Sequence, residues 1–229
     1  IPDSMKLKAR LDLHGPSYKA MLQVKQGEGS LGMNAELNTF TEQYKADLRV
    51  DKLQIHNFLP KDSIYELSLS ADAHGRGLDM MSSQSVGHLN LSLDQLHYAR
   101  YRLSNVNLRG TLKGALASAR LSSDNALLKM EADAEYHLAH SYPDGKLAMD
   151  VDWLDLYELG LIPQPLKHPL AFNFSAEARR NSVMAHLGSG DMTVDITSRM
   201  GVNPLVKQST HFVDVLLNQL QEKALNHAA

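Results

Sequence analysis

The stretch GEGSLG, residues 27–32, has the G-x-G-x-x-G spacing of a dinucleotide-binding turn. In such a turn the glycines let the backbone approach a pyrophosphate at the start of a helix. Asp51 follows at about the separation expected of an acid that binds the ribose. The motif therefore predicts either a nucleotide site or the turn of a β-hairpin.

The residues around this motif favour the hairpin. A strand that opens a parallel nucleotide-binding sheet is apolar on both faces, whereas Lys19, Gln23 and Lys25 alternate with apolar residues here. Segment 34–50 fits two strands around a polar turn at 41–43 better than one helix, and no second β-α-β pattern follows it. We interpret the glycines as those of a hairpin and predict no bound cofactor.

Two further groups have the residue types of a metal site without its spacing. His137 and His140 are three residues apart, which on a strand places their rings on opposite faces. Asp150, Asp152 and Asp155 lack the glycine and the terminal glutamate of a calcium loop. The chain has eleven histidines and no cysteine, so a thiolate site is impossible. We predict surface positions for these residues and no metal.

Signatures of catalysis and of nucleic-acid binding are missing from the sequence. There is no G-x-S-x-G elbow, Walker A loop or H-E-x-x-H motif. The net charge is −3, and the 23 lysines and arginines are scattered, whereas nucleic acid requires a basic face. No apolar run approaches the ~18 residues that a membrane-spanning helix needs. We predict a protein that is not an enzyme and does not bind nucleic acid.

An alternation of apolar and polar residues with a period of two dominates the chain, as in YELSLSADAHG and GHLNLSLD. This period is typical of strands with one apolar face. Turn residues separate the runs at 74–77, 122–125, 142–145 and 188–191. Because no helical crossover intervenes, the pattern predicts an all-β, mainly antiparallel sheet over 1–202 with one apolar face and one polar face.

The apolar positions of these runs would form the apolar face of the sheet. They are Leu67, Leu69, Leu89, Leu91, Leu108, Leu112, Met130, Leu147, Met149, Phe172, Phe174, Val194 and Ile196. Aromatic residues make up only 6% of the chain, so few large side chains are available to fill a closed core. The composition therefore favours an open trough over a tightly filled sandwich.

The last segment, 203–229, breaks the alternation. Asn203 is a good N-cap and Pro204 suits the first helical position. Phe212, Leu216 and Leu220 then recur at helical spacing. The segment predicts a C-terminal amphipathic helix.

Two stretches about a hundred residues apart are similar to each other. The first reads DKLQIHNFLP and the second DWLDLYELGLIP. Asp51, Leu53 and Pro60 of the first match Asp152, Leu154 and Pro163 of the second. Each predicts a strand, a proline-ended corner and a return strand, which bury their apolar side only beside neighbouring units. The alternative is that any two amphipathic hairpins look alike.

These amphipathic strands, with their L-x-L-x-x-F-L-P corners and G-x-L-x-x-x-x-x-L hairpins, resemble the AsmA/TamB-type proteins of Gram-negative envelopes. The stretch YPDGKLAMDVDWLDLYELGLI is similar to the Bacteroidetes branch of that group. The resemblance covers about residues 1–200 and brings no catalytic residue with it. Since the chain begins with IPDSMKLKARLDL, inside a strand pattern, we expect a segment of a longer protein.

The resemblance implies a periplasmic segment of an inner-membrane-anchored protein of outer-membrane biogenesis. Its long sheet would be curled into a groove or half-pipe, with the apolar residues given above as the candidate lining. The groove would shield or conduct the acyl chains of phospholipids or other lipids between the membranes, with outer-membrane assembly proteins as further partners. The alternative is a structural scaffold whose apolar face is the filled core of a β-sandwich and which docks an outer-membrane assembly partner.

Overall fold

The structure, a computed structural model, describes residues 5–57, 64–98, 101–159, 162–189 and 192–199. These residues form fourteen β-strands and one short 3-10 helix, Ile55–Asn57, which is the all-β class that the alternation predicts. Among them, no helix has the length and apolar character to cross a membrane. The predicted C-terminal helix, 203–229, lies outside the described residues. The chain divides into two compact units, 1–125 and 126–229, and a single groove over 1–202 stays a prediction.

The first unit is an antiparallel sheet in which strand order follows chain order. Short β7 pairs only with the end of β6, and β6 also pairs with β5 and β8. The strands are β1 (Met5–His14), β2 (Ser17–Gln26), β3 (Gly29–Asn38), β4 (Gln43–Leu53), β5 (Ile64–Arg76), β6 (Val86–Tyr98), β7 (Tyr101–Leu103), β8 (Val106–Lys113) and β9 (Leu116–Asp124).

The second unit has the same organisation. Each of its strands pairs antiparallel with the strand that precedes it in the unit. The strands are β10 (Leu128–His137), β11 (Asp144–Leu154), β12 (Leu170–Arg179), β13 (Ser182–Ser189) and β14 (Met192–Arg199).

The glycine motif forms a hairpin, as predicted. Gly27 and Glu28 connect β2 to β3, and Gly27 adopts a φ of 56°, where a side chain is costly. Segment 33–48 belongs to β3, β4 and the turn between them, so no nucleotide-binding helix follows the motif. That turn spans 39–42, slightly before the predicted 41–43, because Asn38 Oδ1 accepts the backbone N–H groups of Phe40 and Thr41 at 3.0 and 2.9 Å.

The two similar stretches share one structural irregularity, a β-bulge. In the first unit Val50 pairs with Leu69 and Leu53 with Leu67, so β4 carries an extra residue. In the second unit the register of β11 and β12 shifts in the same way between Val151 and Leu154. The shifts fall at the positions that the internal similarity aligns, which supports a repeated unit over a chance likeness.

The bulge in the first unit decides which residues are buried. Val50 and Leu53 are three residues apart, a spacing that a regular strand would place on opposite faces. With the extra residue both are buried, at 5% and 4% exposure. Lys52 accommodates the extra residue by adopting a left-handed backbone conformation, with a φ of 47°.

Candidate functional site

The pairing register places apolar side chains of neighbouring strands opposite one another. In the first unit one row crosses the sheet at right angles to the strands. It contains Ala9, Leu22, Met33, Leu48, Ala71, Leu91, Leu108 and Leu121. Because directly opposed side chains lie about 5 Å apart, these residues form one continuous apolar surface.

Parallel rows extend this surface, which we call the apolar face of the first unit. One flanking row contains Leu7, Val24, Leu31, Val50, Leu69, Leu93 and Val106. The row on the other side contains Leu11, Ala20, Ala35, Ala46, Ala73, Leu89, Gly110 and Ala119. The outermost row contains Leu13, Tyr18, Leu37, Tyr44, Gly75, Gly87, Leu112 and Ala117.

The alanine row forms a furrow between rows of larger side chains. Ala20, Ala35, Ala46 and Ala73 follow one another across β2, β3, β4 and β5. At a strand spacing of about 4.8 Å, these four alanines span about 14 Å. The furrow ends at β6, where Leu89 takes the place of an alanine. The Leu89 Cβ lies 3.4 Å from the position that a Cβ on the neighbouring Gly110 would take.

The apolar face is only partly covered by other parts of the chain. Leu89 is 38% exposed, and the other candidate residues of this unit are half-buried. Buried apolar residues are few among the described residues: Val50, Leu53, Ala115, Ala132, Val151, Ala185 and Leu187. A sheet packed against a second layer buries far more of its large side chains. The described residues thus leave much of this surface accessible.

The second unit has an apolar face built in the same way. One row contains Ala132, Met149, Phe174, Leu187 and Val194, and the next contains Ala134, Leu147, Ala176, Ala185 and Ile196. A third joins Met130, Val151 and Phe172. Leu67 of the first unit pairs with Leu53 and Leu96, outside the four rows given above. Each candidate lining residue thus lies opposite apolar residues of its own unit, Val194 and Ile196 by backbone register alone.

Several residues of the apolar face of the first unit were not among the candidates from the sequence. Strands β2, β3 and β4 contribute Leu22, Met33 and Leu48 as well as the alanine furrow. Their alternation is visible in the sequence, but the same stretch also fits the turn and helix of a nucleotide site, so the pattern alone does not assign these residues to an apolar face. Alanine gave little signal because it is common on both faces of strands.

Cross-strand pairs of tyrosine and glycine were also missed. Tyr44 pairs with Gly75, and a Cβ on Gly75 would meet both Tyr44 Oη and the carbonyl oxygen of Val86. Tyr136 pairs with Gly145 in the second unit, where a Cβ would lie 2.8 Å from the tyrosine ring. The predicted turn positions of Gly75 and Gly145 are therefore wrong: both lie within strands and make room for an aromatic ring.

The opposite face of each unit is polar and carries surface ion pairs. Lys19 lies 3.1 Å from Glu36, and Lys146 lies 2.9 Å from Glu135. All four side chains are well exposed, so each pair contributes at most about 1 kcal/mol. Neither pair holds its two groups in the contrasting environments that acid–base catalysis uses.

Two pairs of histidines among the described residues stack ring on ring. His140 lies after the end of β10, so the opposite placement that a continuous strand would impose does not apply, and its ring stacks on His137 at 4.6 Å. The His140 Nδ1 atom is 2.6 Å from Asp144 Oδ2. His74 and His88 stack at 5.0 Å. No group of three or more metal-ligating side chains occurs in the described ranges.

The aspartates of DVDWLD have separate structural roles. Asp150 lies in a polar row with Glu131 and Asn173, and Asp152 forms an ion pair with Lys129 at 3.5 Å. Asp155 Oδ1 accepts the backbone N–H of Glu158 at 2.9 Å, which closes a turn. Asp152 and Asp155 therefore each have a partner within the chain.

Comparisons of the chain with protein-family models, with curated proteins and with solved structures find no match. The geometry of the two apolar faces and the resemblance in the strand and corner patterns are therefore the observations from which a function is inferred.

Proposed function

We propose that this chain is a non-enzymatic segment of an outer-membrane biogenesis protein that shields lipid acyl chains from water. The observation that carries the proposal is the alignment of apolar rows across neighbouring strands, together with their partial exposure. In the first unit the central row is apolar on every strand it crosses, from Ala9 to Leu121. A surface of this kind suits a long, flexible and featureless ligand.

The energetics favour an acyl chain over a ligand recognised by polar contacts. Each methylene group that leaves water for an apolar surface contributes about 0.8 kcal/mol. Affinity then grows with the length of chain in contact, and no specific hydrogen-bond donor is required. On β2, β3 and β4 the alanine furrow is bordered by larger side chains on both sides, which adds contact area along a chain lying in it.

The resemblance to AsmA/TamB-type proteins supports the cellular setting of the proposal. It suggests a periplasmic location within a longer, inner-membrane-anchored protein. Phospholipids are then the ligands, and outer-membrane assembly proteins are the further partners. Neither a metal nor a cofactor has a role in this function.

Site-specific photo-crosslinking in cells tests the proposal. A photoreactive residue at Leu91 or at Phe174 should form adducts with lipid, because both lie in apolar rows. The matched controls are Asn90 and Asn173, the preceding residues on the same strands, which are exposed on the polar face. Absence of adducts at both apolar positions in folded protein, or equal adducts at the controls, would refute the proposal.

A protein-docking scaffold is the second candidate, and the edge of the first unit favours it. Strand β1 pairs with β2 on one side only among the described residues. Its Leu7, Leu11 and Leu13 are 58%, 65% and 56% exposed, as expected of an edge that accepts a strand from a partner. Native mass spectrometry separates the two functions: co-purified phospholipid supports the acyl-chain site, and a ligand-free mass supports the scaffold.

A further inference from the structure

The turns at one end of the first unit are joined by backbone hydrogen bonds. Thr39 donates its N–H to the carbonyl of Pro16 at 2.9 Å, which connects the β3–β4 turn to the β1–β2 turn. Gly77 donates to the carbonyl of Glu42 at 3.0 Å, and Gly114 donates to that of Ser85 at 2.9 Å. The connected turns form an ordered end of the sheet.

The longest of these connections, 77–85 between β5 and β6, is held by its own hydrogen bonds. Asp79 Oδ1 accepts the N–H of Met81 at 2.9 Å, and the Asp79 carbonyl accepts the N–H of Ser82 at 3.1 Å. The Ser85 hydroxyl also donates to the Asp79 carbonyl, and Ser85 is only 1% exposed. The segment is thus an ordered loop in which several polar groups form hydrogen bonds with one another.

This ordered end exposes large apolar side chains. Phe40 on the β3–β4 turn is 86% exposed, and Leu78, Met80 and Met81 on the neighbouring loop are 54%, 63% and 63% exposed. We call these four residues the apolar tip. Their combined apolar area is on the order of 400 Å², a size that is often functional on a monomer. The loop satisfies its polar groups internally while keeping its apolar side chains in solvent.

Charged residues flank the tip in a way that suits phosphate groups. Arg76 ends β5, and Lys113 pairs with Val86 at the start of β6, so both lie at the base of the loop. Neither forms an ion pair with another described residue. Two acids also lie at this end, the exposed Glu42 and Asp79, whose Oδ1 accepts one backbone N–H of the loop. Arg76 and Lys113 share one cross-strand row through Val86, which places both cations on the same face of the sheet.

We propose that the apolar tip inserts into the interface of a lipid bilayer, with Arg76 and Lys113 at the level of the phosphates. The tip offers about half of the ~800 Å² that each partner contributes to a standard protein–protein interface. It is formed by turns rather than by a concave groove, so it suits a fluid layer better than a rigid protein partner. Insertion of such residues at the headgroup boundary is a known mode of peripheral membrane binding. The inference does not require the acyl-chain function of the sheet.

The chain has no cysteine, so a single introduced cysteine labels one position with an environment-sensitive fluorophore. The Met80→Cys variant is the test position. Met184→Cys is the matched control, since Met184 is 49% exposed on β13 of the second unit. With vesicles in which phosphatidylethanolamine exceeds phosphatidylglycerol, we expect a blue shift at position 80 and none at position 184. Equal shifts at both positions, or none at position 80, would overturn the proposal.

Vesicle flotation of the unlabelled chain gives a second measurement. Met80→Ser combined with Met81→Ser should lower partitioning into the vesicle fraction by about tenfold or more, whereas Met184→Ser should leave it unchanged. If the wild-type chain does not bind vesicles but self-associates with rising concentration, and the double variant abolishes this association, the tip contacts a second copy of the chain and the bilayer proposal is overturned. If the wild-type chain retains co-purified lipid but does not float with the vesicles, the tip proposal is refuted and the acyl-chain function is not. Flotation without crosslinked lipid at Leu91 and Phe174 would refute only the acyl-chain site.

Discussion

Tyr44 and Gly75 illustrate how single side chains shape the apolar face. The ring of Tyr44 reaches over two neighbouring strands: a Cβ on Gly87 of β6 would lie 2.7 Å from Tyr44 Oη. Glycine in a strand is normally unfavourable because it has high conformational freedom when unfolded and no side chain to pack. Here the missing side chains provide the space in which the tyrosine lies.

We expect Gly75→Ala to lower the free energy of unfolding by about 1–3 kcal/mol, the usual cost of overpacking. The added methyl group would meet the Val86 carbonyl as well as Tyr44, and backbone cannot move aside as a side chain can. Urea unfolding monitored by circular dichroism measures the change. Gly32→Ala is the control, because nothing lies within 4 Å of a Cβ there. Similar losses in both variants would contradict this account.

For single residues, the sequence predicts which side chains lie on the apolar face, but it does not predict which of them touch across neighbouring strands. The period-two alternation places Leu89, Leu91 and Phe174 correctly in apolar rows. It cannot place Gly75 or Gly145, since a glycine that leaves room for a ring has the same local signal as a turn glycine. The difference depends on the tyrosine of the paired strand, which only the register identifies.

Among the elements, the β-bulge in β4 is the feature with the clearest local cause. The Ser68 hydroxyl on β5 accepts the N–H of Lys52 at 2.9 Å, inside the bulge. Ser68 is 9% exposed, so its hydroxyl is held against the irregular backbone. The hydrogen bond replaces one that a regular antiparallel ladder would have supplied.

We expect Ser68→Ala to lower the free energy of unfolding by about 1 kcal/mol, because the Lys52 N–H loses its acceptor. Amide hydrogen exchange at Lys52 should become faster, while exchange at Met33 in the regular part of β3 should not change. Ser70→Ala, two residues along the same strand on the polar face, is the matched control. If the two variants lose equal stability, the serine has no special role at the bulge.

The internal similarity predicts that two segments share a structure, but not that the shared feature is a bulge. Matching Asp51 and Leu53 to Asp152 and Leu154 aligns the two register shifts, whereas the predicted corner at Pro60 lies outside the described residues. A strict alternation there, however, sets Val50 and Leu53 on opposite faces, whereas both are buried. An extra residue in one strand is a property of the pairing, so it cannot be recognised from one strand alone.

For the whole molecule, the accessible apolar faces predict an unusual response to amphiphiles. A ligand that binds only the folded chain raises its stability in proportion to the logarithm of ligand concentration. Lysophospholipid below its micellar concentration should therefore increase the free energy of unfolding, by about 1.4 kcal/mol for each tenfold rise above the dissociation constant. Differential scanning calorimetry measures the accompanying rise in Tm. A falling Tm would show that the lipid binds the unfolded chain better and would contradict the proposed function.

Strand order in both units has a consequence for how the chain is made. Within each unit, every described strand after the first pairs with the strand synthesised just before it, except that β8 pairs with β6 because β7 pairs with the end of β6. Among the described strands of a unit, no pairing waits for a distant segment. A polypeptide emerging from a ribosome or a translocation pore can therefore add strands one by one to an edge that already exists. Loops closed this way are short, which favours rapid pairing. The same arrangement lets evolution lengthen or shorten such a sheet by whole hairpins without disturbing the strands on either side.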